Sequence, residues 1–164
     1  MKTKTTTTTT VAILSTLLLV SCGKKTYEDP KTIGYDKVGT PTNETENLLE
    51  MVKQDLISYG VKEKSLDFSR IGVVGVGNIH DTLGGICMSD TKNIILNKRK
   101  FSDGTYAVFD KKEVIAHELG HCLFNLDHDD TRFNLMNTYR LPISNTMYYD
   151  VIKDFANKLI SLGY

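Results

Sequence analysis

A chain of 164 residues, 40% hydrophobic and 24% charged, has the size and balance of one globular domain and leaves no room for a second. Its 20 basic residues are matched by 20 acidic ones, which excludes a strongly basic nucleic-acid surface and a polybasic membrane patch, so no nucleic-acid partner is expected. Partners have to be argued from a site.

The chain opens with Lys2, Lys4 and a threonine run, followed by the short apolar stretch "VAILSTLLLV" and then "LVSC". The apolar part is too short to span a bilayer comfortably, so residues 1–21 read as a secretory signal. Leu19-Val20-Ser21-Cys22 resembles the bacterial lipobox, which implies that Cys22 carries a lipid and begins the mature chain. Loss of Lys2 and Lys4 would leave 18 basic against 20 acidic residues. The product would be an exported lipoprotein, periplasmic or at the cell surface, held to a membrane through its N terminus. Residues 22–42 are polar, contain Pro30 and Pro41, and show no apolar period, so they read as a tether without order.

A domain over 43–164 follows. Asn43 is placed to cap a helix with Glu46 three residues on, and Leu48, Leu49, Val52, Leu56 and Ile57 form an apolar stripe that stops at Gly60. "LDFSRIGVVGVGNI", "GGICM" and "NIILN" are strand candidates for a small sheet. Gly72, Gly75 and Gly77 read as glycines of a twisted strand, because no Gly-Lys-Ser/Thr follows to make a phosphate loop. A second helix opens at Asp110 or Lys111 and runs through "KKEVIAHELGHCLF"; a third spans roughly Thr146 to Leu162. The class is α+β. Apart from Cys22 the cysteines are Cys87 and Cys122, open at this level to a bridge or to two buried thiols. Neither has a spare histidine to act as its base.

Three of the four histidines fall in the twelve residues from His117 to His128. On a helix, residues four apart share a face, so His117 and His121 can direct both imidazoles at one metal ion. Glu118 points about 100° away, badly placed to ligate but able to reach a water on that ion. A straight helix would carry His128 roughly 10 Å along the axis from His121, too far for one ion. The helix must therefore end soon after His121 and reverse, and Asn125, which tolerates a left-handed backbone, is the candidate hinge.

"HELGHCLFNLDHD" followed by "FNLMN" resembles the metzincin clan of zinc peptidases, its matrixin-like members most closely. The resemblance implies a minimal metzincin-like domain with one catalytic Zn2+ on His117, His121 and His128. It makes Glu118 the general base and Met136 the residue of the methionine turn beneath the metal. Phe124-Asn125 stands where the family has a single glycine, so counting alone places Asp127 at the third-ligand position, and Asp127 stays open as an alternative. No glutamate follows Glu118, which removes the zinc peptidases that take a late glutamate ligand; Asp150 or Asp154 remains a formal variant.

The expected activity is that of a zinc endopeptidase acting on a peptide or protein substrate, in a monomeric chain. An extended peptide would bind beside Gly85, Ile86, Cys87 and Met88, with Tyr139 lining a specificity pocket or merely packing. A non-catalytic zinc-binding or adhesive lipoprotein is the alternative, and Glu118 separates the two, since a binder does not need it. His80 reads as a surface histidine, and Asp129-Asp130 as a solvated turn rather than a calcium site. A latency role of the tether would fall to Asp29 or Asp36 reaching the metal.

Overall fold

The computed structural model describes residues 20–21, 35–130, 134–140 and 144–164. Cys22, the first part of the tether and all of the leader except Val20-Ser21 lie outside the described residues. Val20–Ser21 (β1) pairs antiparallel with Tyr139–Arg140 (β5). No helix among the described residues is long and apolar enough to cross a membrane.

Helix α1 covers Asn43–Ser58. Its cap is Thr42, one residue before the expected Asn43: the Thr42 hydroxyl accepts the Thr45 N–H, and the Thr45 hydroxyl accepts the Thr42 N–H in return. A threonine thus takes the place expected for Glu46 in the capping box. Leu48, Val52 and Leu56 are the buried stripe, each worth about 1.5–3 kcal/mol relative to exposure. After Gly60, where φ is 97°, two short 3-10 turns occupy Glu63–Ser65 and Phe68–Arg70. The strand expected to begin at Leu66 is therefore shorter, because Asp67 accepts the Ser69 N–H and bends the chain locally.

The sheet has three strands, β2 (Val74–Gly77), β3 (Gly85–Met88) and β4 (Asn93–Asn97), in the order β2-β4-β3. β4 lies in the centre, parallel to β2 and antiparallel to β3. Its alternation divides the interior: Ile94 and Leu96 face the main core, while Ile95 joins Ile79 and Leu83 on the opposite side. Asn93 and Asn97 close its two ends. The Asn93 carboxamide oxygen accepts the Val73 N–H, and the Asn97 amide donates to the Leu83 carbonyl.

Residues 35–42, read from sequence as unordered tether, lie along β2. Thr40 and Val76 exchange both backbone hydrogen bonds, and the Asp36 carboxylate accepts the Asn78 N–H. Gly75 permits this approach, since a Cβ there would stand 2.4 Å from the Thr40 carbonyl carbon. The glycines of β2 serve backbone packing.

A short helix, α2 (Lys98–Ser102), was not anticipated; Asn97 caps it by accepting the Lys100 N–H. Helix α3 is Val108–Cys122, two residues earlier than the expected start at Asp110, whose carboxylate instead accepts the Ala107 N–H from inside the first turn. Helix α4 is Asn145–Ser161, with Ser144 accepting the Met147 N–H. α3 runs through the middle, against α1 and α4 on one side and β3 and β4 on the other. It is buried without interruption from Lys111 to Gly120, so its polar residues need partners inside the protein. The molecule is accordingly α+β, with a small mixed sheet and helices packed on one face.

A candidate metal centre at the end of the central helix

The last two turns of α3 carry His117 and His121 on one face. Beyond Cys122 the chain leaves the helix: the Phe124 N–H reaches back to the Leu119 carbonyl, the Leu126 N–H to that of Gly120, and Asn125 between them takes φ 52°. The reversal expected at Asn125 is present. It carries His128 back over the helix end, so that His117, His121 and His128 form the one cluster among the described residues with metal-binding geometry. Asp127 is exposed and outside that cluster, as are Asp150 and Asp154 on α4.

The three Nε2 atoms make a nearly equilateral triangle with edges of 3.1, 3.2 and 3.3 Å. Ligand nitrogens about 2.0–2.1 Å from a tetrahedral ion would be about 3.3–3.4 Å apart, so one ion on the axis of this triangle reaches all three and keeps a fourth position open. The ring orientations carry the same message. His117 Nδ1 lies 2.6 Å from the Leu135 carbonyl oxygen and His121 Nδ1 lies 2.7 Å from that of Leu126. A carbonyl only accepts, so both Nδ1 atoms bear a proton, and the Nε2 atoms are the ones turned toward each other. Carbonyl acceptors behind ligating imidazoles are what a metal site requires to fix tautomer and direction.

Below the cluster, Met136 is buried and presses on the helix at Gly120, where a Cβ would stand 2.4 Å from the Met136 sulfur. The loop that holds it is stapled to the segment after His128. The Asp129 N–H donates to the Met136 carbonyl, the Asn134 amide to the Asp129 carbonyl, and Thr138 donates its N–H and hydroxyl to the Asp130 carboxylate. Asp129 also faces Lys158 at 3.5 Å. The Asp129-Asp130 pair, expected as a solvated turn, is instead irregular chain that fastens the two loops together.

Glu118 is buried at 1% exposure and lies against the start of β3: a Cβ on Gly85 would be 3.1 Å from its Oε1. β3 is an edge strand, and Cys87 on it is bridged to Cys122, the residue after His121, with Cα atoms 5.6 Å apart. Tyr139 pairs through its backbone with Ser21; its side chain is outside the described residues. His80 is exposed, its Nδ1 2.8 Å from the Thr82 hydroxyl, and Asp36 is engaged at Asn78.

Sequence reasoning missed the carbonyls of Leu126 and Leu135, which any residue type could supply. It also missed a trio, with Asp55 half-buried between Lys112 and Tyr148, beneath the N-terminal half of α3. There Lys112 Nζ lies 2.5 Å from Asp55, Tyr148 donates to the same carboxylate at 2.7 Å, and the ammonium sits 4.6 Å from the Tyr148 ring centre. Burial, then the hydrogen bond to Asp55, push the Tyr148 phenol far above its ordinary pKa.

In comparisons with protein families, curated proteins and solved structures, the chain matches none.

Proposed function

We propose that the chain is a zinc-dependent endopeptidase of metzincin type, with a matrixin-like methionine turn, exported and anchored to a membrane through a lipid on Cys22. One observation carries the reading: three imidazole nitrogens converge at tetrahedral spacing, and a buried carboxylate neighbours two of them on the same helix.

His117, His121 and His128 would hold the ion, and an all-imidazole set with an open position suits catalytic zinc. When bound, zinc supplies a Lewis acid that acidifies water and polarises a peptide carbonyl. Glu118 accepts the proton released by water and returns it to the departing amine, the task of a general base that becomes a general acid. The Leu126 and Leu135 carbonyls hold two imidazoles in the ligating tautomer through the cycle. β3 offers its outer edge to an extended peptide, so main-chain hydrogen bonds give affinity, and the chain after Met136 borders the side-chain pocket.

A zinc-binding surface protein without turnover would need the three imidazoles and not Glu118. Purified wild-type protein should contain one zinc and cleave unstructured peptides. Glu118→Ala should keep the zinc, by elemental analysis, and lose about 10²–10⁴-fold in turnover. Equal turnover in the two proteins would end the peptidase reading.

A further inference from the structure

The first residue of β3 is a glycine with no positive φ to account for it, since it is absent from the positive-φ glycines of the chain. Its reason is contact. A Cβ on Gly85 would lie 2.9 Å from Cγ and 3.1 Å from Oε1 of Glu118, and 3.0 Å from Cγ1 of Val114, one helical turn earlier on the same face. The backbone at this point cannot retreat. Gly85 is paired with Leu96 of the central strand, the preceding Gly84 carbonyl accepts the Asn97 N–H at 2.9 Å, and Cys87 two residues on is bridged to the end of α3. Glu118 is buried at 1% exposure, and its carboxylate end is the flexible partner in the contact. A methyl group here would therefore be accommodated by rotating the carboxylate.

We propose that Gly85 is a positioning residue: its missing side chain is the seat of the Glu118 carboxylate and sets where that carboxylate stands relative to the three imidazoles. The inference rests on Glu118 acting as the base. It adds that the strand beside the substrate fixes the base as well as offering main-chain hydrogen bonds.

The contact is read without turnover. In the full-length zinc-loaded protein, a proton Overhauser effect joins the Gly85 α-protons to the Glu118 γ-protons, and Gly85→Ala moves the Glu118 carboxyl carbon resonance while the three imidazoles keep theirs. In activity, Gly85→Ala lowers kcat about 10- to 100-fold, the scale of a small misplacement of a catalytic group, with KM and zinc affinity within about twofold of wild type. In a Glu118→Asp background, which removes the methylene the new methyl would strike, the same substitution costs less than about threefold. If Gly85→Ala does not fold, Gly85→Ala with Val114→Ala, which makes room for the added methyl group, takes its place. An absent Overhauser contact, an unchanged kcat, an equal loss in both backgrounds, or zinc affinity falling in step with kcat would overturn the proposal. A wild-type protein with one zinc and no hydrolysis would overturn the peptidase reading instead, and the resonance measurements would still decide about Gly85.

Discussion

Asn125 carries the geometry of the metal site in a single pair of dihedral angles. With φ at 52° it occupies the left-handed region, where glycine and asparagine are tolerated and a β-branched residue is not. Asn125→Val should cost about 1–2 kcal/mol in a urea titration and weaken zinc in a chelator competition, because His128 is displaced with the turn. Asn125→Gly should leave both nearly unchanged. This position was legible in sequence, since a helix that must end within a few residues has few candidates for its hinge. Gly85 was not: its partner Glu118 lies 33 positions away, and only the register of β3 against β4 brings the two together.

At the scale of elements, α3 is buried from Lys111 to Gly120 and still carries Lys111, Lys112, Glu113, His117 and Glu118 there. Lys111 pairs with Glu44 at 2.6 Å, and Lys112 shares Asp55 with Tyr148. The apolar stripes of α1 and α4 could be read from their spacing, and both helices form within a residue or two of expectation. The polar interior of α3 could not, because a lysine in a helical pattern reads as exposed unless its partner's location is known.

The Tyr148 phenol gives this network a pH signature. Its pKa is raised above the ordinary 10.0, so up to about pH 9 folded and unfolded chains both keep the proton and this group adds no pH dependence to stability. Above that value the unfolded tyrosine ionises while the folded one does not. The unfolded state then binds fewer protons, and stability falls as pH rises. Urea titrations across pH 9 to about pH 12 should show that fall, and Tyr148→Phe should make it shallower by about one proton.

Across the whole molecule, the Cys87–Cys122 bridge closes a loop of sequence separation 35 and ties the edge strand to the helix that presents His121. Chain-entropy arguments give such a loop roughly 4 kcal/mol of stabilisation. Replacing both cysteines by serine should therefore lower the unfolding free energy by roughly 2–4 kcal/mol, seen as an earlier urea midpoint with a steeper slope, because the unfolded chain without the bridge exposes more surface. The sequence left bridge and thiols equally open, because pairing depends on a Cα separation that only the packing of β3 on α3 establishes. It also misplaced the onset of order: residues 35–42 contain no apolar period, and what holds them is backbone pairing with β2, which has no signature in side chains.

The acceptors that aim His117 and His121 are peptide oxygens, contributed by positions 135 and 126. Peptide oxygens are common to all twenty amino acids, so no substitution at either position can delete them, although a shift in the route of the chain can. Robustness of the imidazole orientations is thereby a property of the two loop trajectories, and an insertion or deletion between 123 and 135 would harm it more than almost any exchange of one letter for another.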